Sequence, residues 1–107
     1  MVINDREVKF FYSVDAYCKY NDWMVLHAKS SQASANVVLA VLMSEAYAAK
    51  EGEGAPKPLT ADEVKALPLR DYFALMQEVN AQQKADMEVS VETKPQTKRK
   101  NAKTAEA

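Results

Sequence analysis

Glycine occurs only at positions 52 and 54 of 107 residues, and proline only at 56, 58, 68 and 95. A β-sandwich or barrel carries a turn signal roughly every ten residues. So few turn formers, among much Ala, Glu, Lys and Met, argue against both architectures. Cys18 is the single cysteine, so no internal disulfide forms and a reducing compartment suits the chain. His27 is the single histidine. One Cys and one His, without a CxxC or HxxxH spacing, are too few for zinc. They stand about two and a half helical turns apart and on different faces, whereas a nucleophile pair needs hydrogen-bond contact. Asp15/Asp22 and Asp62/Glu63 are carboxylate neighbours that capping and solvation explain. The Gly52/Gly54 loop is acidic, lacks a Lys-Ser/Thr ending and follows no strand, so it is no phosphate loop. No catalytic residue, metal site or cofactor is expected, and the chain reads as a non-enzyme. Its first residues, MVINDREVKF, lack the apolar core of a signal peptide. The apolar run near residue 40 is too short, and too polar at its end, to span a membrane. A soluble, cytoplasmic chain without membrane contact is expected.

Hydrophobic residues make up 48 % of the sequence, enough for the packed core of one small domain. Charge is unevenly placed. Residues 1–92 carry nine Lys/Arg against fourteen Asp/Glu, whereas residues 93–107 carry five basic residues against Glu106 alone. The basic tail, Lys94, Lys98, Arg99, Lys100 and Lys103, has neither interleaved aromatics nor a groove-reading helix. It cannot bury enough surface to offset its ordering entropy and is expected to be disordered. The alternatives are nonspecific phosphate contact and docking to an acidic partner. A small nucleic-acid-associated regulator is therefore the second functional reading.

The longest apolar stretch is Ser34 to Lys50. Val37 to Met43 run without a polar residue. Periodicity alone does not separate a buried strand from a buried helix. The length of the segment and its Ala, Glu and Met content favour a helix covered by neighbours on most sides. Ser30, Ser31 and Ser34 are candidate caps for it, and Gly52 suits the left-handed position after it. Ahead of it, Val2, Ile3, Val8, Phe10 and Tyr12 surround a polar Asn4-Asp5-Arg6-Glu7 break and read as a short hairpin. Asn and Asp tolerate the positive φ of a tight turn there. A first helix runs from the Ser13 cap to about Ala28, with Ala16, Tyr20, Trp23 and His27 on one side and Tyr17 and Met24 flanking it.

After the Gly/Pro loop, Thr60-Ala61-Asp62-Glu63 is a capping box, with Leu59 and Val64 at the positions of a hydrophobic staple. A short helix from Ala61 to about Ala66 is expected. A last helix follows Pro68 and reaches Lys84 or Asp86, with Leu69, Tyr72, Phe73, Met76 and Val79 as its apolar side. Residues 87–92 alternate apolar and polar and read either as an added strand or as the start of the tail. The fold class is mainly α. A short N-terminal hairpin (1–12) precedes a three- to four-helix bundle in one domain of residues 1–92, and residues 93–107 form the tail.

Met24, Met43, Met76 and Met87 supply flexible thioethers, and Tyr47 and Tyr72 amphipathic rings, of the kind that contact a partner. Trp23, the only tryptophan, is either core or an interface anchor. The plain alternative places all of these in the core. The order of parts carries a resemblance. The hairpin Val2 to Phe10, Ser13-Val14 opening a helix with Cys18, an apolar helix, LTADEV (59–64), LPLRDYFALMQEV (67–79) and a charged tail follow one another. Over residues 1–85 this pattern resembles the small tail assembly chaperones of long-tailed bacteriophages and prophages, with Asn4-Asp5 where the family commonly has Asn-Gly. The resemblance implies a non-enzyme that coats the apolar, helical tape measure protein and keeps it soluble. It also implies homo-oligomerisation and, through a frameshifted longer product, recruitment of the tail tube protein.

Overall fold

The chain opens on two short antiparallel strands, β1 (Val2–Ile3) and β2 (Arg6–Glu7), with Val2 opposite Glu7 and Ile3 opposite Arg6. Asn4 and Asp5 form the two-residue turn at φ 52° and 63°. Positive φ at both centres is the type I′ geometry that matches strand twist. The polar break is thus shorter than the sequence suggests, because Arg6 and Glu7 are strand residues. Val8 and Phe10 are buried in the extended chain beyond the ladder. The Phe11 amide donates to the Met43 carbonyl at 3.1 Å and fixes this segment on the main helix. The structure, a computed structural model, describes residues 1–89.

Four helices follow: α1 (Val14–Leu26), α2 (Gln32–Glu51), α3 (Ala61–Lys65) and α4 (Leu69–Val89). Each of the first three starts at a hydroxyl that satisfies an orphan amide. Ser13 Oγ accepts from the Ala16 amide at 3.0 Å. Ser31, of the three candidate serines, caps α2 and accepts from the Ser34 amide at 3.1 Å. The capping box of α3 is complete. Thr60 Oγ1 accepts from the Glu63 amide at 3.2 Å, and Glu63 Oε1 accepts from the Thr60 amide at 3.0 Å. Leu59 and Val64, the staple pair, are both buried in the core. Gly52 ends α2 at φ 76°.

α2 is the middle of the molecule. α1 runs antiparallel along one side, so that Ala16 and Lys19 lie by Leu42 and Ala46, and Trp23 and Met24 lie by Ala35. α4 runs parallel along the other side. Tyr72 sits beside Asn36 near the start of α2, and Asp86 beside Lys50 near its end. The core gathers Ile3, Val8 and Phe10 from the first segment with Val37, Leu39, Ala40 and Met43 of α2. Leu59, Val64 and, from α4, Leu75, Met76 and Val79 complete it. Among the described residues Ser44 is the buried polar exception. Its hydroxyl donates to the Val41 carbonyl at 2.8 Å and accepts from the Leu59 amide at 2.9 Å, so it ties α2 to the approach of α3.

Two sequence expectations need correction. The inward side of α4 is built on Leu75, with Tyr72, Met76 and Val79, while Leu69 and Phe73 are exposed. At 100° per residue Phe73 lies a full quadrant away from the Tyr72–Val79 line, so three- and four-residue spacing alone overstated the stripe. Residues 87–89 continue α4, so that part of the 87–92 segment is helix and not strand. Residues 90–92 and the tail 93–107, with Lys94, Lys98, Arg99, Lys100 and Lys103, lie outside the described residues. No helix among the described residues is long and apolar enough to cross a membrane.

Candidate interaction surface

The residues singled out as partner contacts do not form one surface. Met43 and Met76 are fully or almost fully buried in the central cluster, so neither offers a thioether to a partner. Both sit where α2 meets its neighbours, and that is what a flexible, gap-filling side chain is suited to. Tyr47 is half-buried toward the far end of α2, where the Lys50 ammonium stands 5.0 Å from its ring centroid. Trp23, Met24 and Tyr72 all border the first turns of α2, from opposite sides.

On the α1 side, Trp23 is half-buried and stacks on His27, with ring centroids 4.5 Å apart and planes at 15°. His27 Nδ1 lies 3.0 Å from the Trp23 carbonyl oxygen, which holds the imidazole on the indole face. Met24 and Leu26 are exposed beside this pair. The depression that Trp23, Met24 and His27 form with Ser31 and Ala35 holds about 240 Å³.

On the α4 side, an open groove of about 310 Å³ runs between the start of α2, α3 and the start of α4. Val37, Val64, Leu67, Leu69 and Tyr72 line it, and Lys65 provides the charge. Tyr72 Oη accepts from Asn36 Nδ2 at 3.1 Å, which satisfies the phenol and leaves the ring as a wall. Leu69 and Phe73 stand beside the groove at 66 % and 57 % exposure, and Phe73 tilts against Tyr72 at 5.6 Å. Large apolar side chains this exposed cost free energy in water unless something covers them, and grouped ones mark contact sites.

The groove is anchored from behind by a charged clamp. Both carboxylate oxygens of Glu63 accept from the Arg6 guanidinium, Nη2 at 3.0 Å, and Nη2 also donates to the Pro58 carbonyl at 2.9 Å. The guanidinium, with the Thr60 amide, holds the Glu63 carboxyl far down, at about 2. The clamp thereby fixes α3, and with it Val64, against the hairpin.

Sequence reasoning missed Leu69 and Phe73 as surface groups, because it assigned them to the core stripe. It missed Leu26 because the α1 wheel was read for one apolar side only. Asking whether the leftover apolar residues lie together would have found them. No protein-family model matches the chain, and neither the curated proteins nor the solved structures compared with it give a match.

Proposed function

We propose that this protein is a tail assembly chaperone of a long-tailed bacteriophage or prophage. Its client is the apolar, helical tape measure protein, which it keeps soluble in the host cytoplasm until the tail is built. One observation carries the reading: an open, mostly apolar groove lies at the start of α2, with exposed Leu69 in its lining and exposed Phe73 against its Tyr72 wall. A groove of this kind suits the apolar side of an amphipathic helix, whose anchors recur every three or four residues. Trp23 and Met24, across the first turns of α2, extend the apolar area for a client longer than one groove. Self-association, a tail tube contact made through an extended product and a role for the basic tail belong to the same proposal.

Co-expression with a long, apolar, helical client tests it. The client is expected in the soluble fraction with the intact protein and in the pellet without it. Phe73→Asp, at an exposed position, should return most of the client to the pellet while leaving the fold intact. A client equally insoluble with and without the intact protein would overturn the proposal.

A further inference from the structure

The exposed apolar side chains at the start of α4 stand among cations, on a body whose charge is negative. Residues 1–92 carry nine Lys/Arg against fourteen Asp/Glu. Acid is nevertheless absent from the groove lining, where Lys65 is the one charged group among the described residues. α4 sorts its charges by side. With Tyr72 set at zero and 100° per residue, Leu69 and Phe73 fall at about 60° and 100°, and Arg70 at about 160°. Asp71, Glu78 and Asp86 fall on the other side, at about −100°, −120° and −40°. The N-terminal segment takes them up there. Glu78 accepts from the Met1 amine at 3.2 Å and Asp86 from the Tyr12 amide at 2.8 Å. Asp71 lines the depression beside Ile3 and Asn4. On α3, Glu63 is held by Arg6, and Asp62 lies in the first turn, where a carboxylate complements the helix dipole. The first turn of α2, which borders the groove, carries no acid. Lys84 shares the side of Phe73 but stands 3.9 Å from Glu88. Lys65 and Arg70 are exposed and, among the described residues, form no ion pair.

We propose that the groove selects an amphipathic helix whose apolar anchors are flanked by carboxylates, one flank meeting Lys65 and the other Arg70. This rests on the client reading and adds to it the chemistry by which a client segment is recognised. A space of about 310 Å³ takes a few side chains and not a whole helix. The anchors therefore enter, while the flanks of the helix stay at the rim, where the cations are. An apolar centre with a charged rim is the anatomy of a specific contact, and rim charges reject partners of the wrong sign. A phosphate chain is the poorer fit, because it is gripped by rows of cations, and two beside an apolar groove are few for that.

Fluorescence anisotropy with two labelled model peptides tests it on the full chain. Both are alanine-based helices with the same leucines at three- and four-residue steps. Glutamates flank the leucines in one and lysines in the other. An exposed pair is worth roughly a 1.5- to 5-fold change. Exchanging two attractions for two repulsions should therefore favour the glutamate peptide about tenfold at low salt, and high salt should remove most of the difference. Lys65→Glu with Arg70→Glu should erase or reverse the preference, with helicity and melting unchanged. Phe73→Ala should weaken both peptides. Lys57→Glu, on the hairpin side of α3, should change neither. A glutamate preference that survives the double change means that the basic tail attracts the peptide, and overturns the proposal. So does a short single-stranded oligonucleotide that displaces the peptide through Lys65 and Arg70. Equal binding of both peptides overturns the charge selection and leaves the client reading standing. Binding of neither overturns the proposal alone where co-expression still holds the client soluble, and both readings where it does not.

Discussion

Replacing Arg6 by methionine keeps the aliphatic stem and removes the clamp. Glu63 then loses both guanidinium bonds and keeps the Thr60 contacts of the capping box and the Asn4 side-chain amide at 3.5 Å, and the Pro58 carbonyl loses its donor. A carboxyl that titrates at about 2 in the fold and near 4.5 when unfolded carries linkage of about 3 kcal/mol at neutral pH. The two side chains remain 24 % and 22 % exposed, so water screens part of that. The expected loss in Arg6→Met is therefore about 1–2 kcal/mol. Charge-assisted hydrogen bonds measured elsewhere give a similar figure, about 1.5–3 kcal/mol.

The pH dependence separates this clamp from a plain loss of packing. The folded carboxyl lies below its unfolded value, so the unfolded chain binds more protons between the two. The stabilisation is fully present above about pH 5 and disappears as pH falls toward 2. Urea unfolding followed by the fluorescence of Trp23 measures it, at steps from pH 7 to pH 3. The difference between the parent and Arg6→Met should be largest at pH 7 and shrink steadily below pH 5. Other carboxylates titrate in both proteins and cancel. In a double-mutant cycle with Glu63→Gln, a coupling of about 1 kcal/mol or more is expected. A difference that stays constant down to pH 3, or a coupling near zero, would refute the electrostatic account.

Four further changes, one of them a control, probe the remaining supports. Ser44→Ala strands the buried Leu59 amide that its hydroxyl now satisfies at 2.9 Å, and should cost about 1–3 kcal/mol in chemical denaturation. Met43→Ala empties a site with no solvent exposure and should cost about 2–5 kcal/mol, whereas Met24→Ala should stay within about 0.5 kcal/mol, so equal melting shifts would contradict the burial described. Gly52→Ala meets no neighbouring atom, yet it forces a Cβ into φ 76°. A thermal melt should show a loss of about 1–2 kcal/mol from backbone strain alone.

Much of this fold was written in local chemistry. The Thr60–Glu63 box, the Asn4-Asp5 turn, Ser13 and Gly52 each act through their own backbone neighbours, so their roles are readable without knowing what surrounds them. The uninterrupted run Val37 to Met43 announced a helix wrapped from several sides because no single polar face was left. Arg6 was unreadable for the opposite reason. It stands in a two-residue strand and finds Glu63 across 57 positions, a pairing that only the tertiary fold creates. Leu75 holds the inward place expected of Phe73 for a related cause. Both are apolar and two residues apart, and only the seat of α4 on α2 decides which one turns inward.

The contact residues were the least legible part, because residue type records affinity for apolar surroundings without saying which surroundings. Met43 and Phe73 satisfy the same sequence criterion. One fills the junction between α2 and α4, and the other stands in water. What distinguishes them is position: α2 has neighbours on several sides, while α1 packs one side on α2 and α4 packs on α2 and, through Glu78 and Asp86, meets the N-terminal segment. Exposed apolar side chains accordingly lie on α1, with Val14 and Val25, and at the start of α4, with Leu69 and Phe73, while Val2 of β1 and Met87 near the end of α4 are exposed as well. A chain with one central helix and two flanking ones exposes its surplus on the flanks. Whatever covers Val14, Val25, Leu69 and Phe73 must come from outside the described residues, and changing those four to polar residues should leave the monomer fold standing.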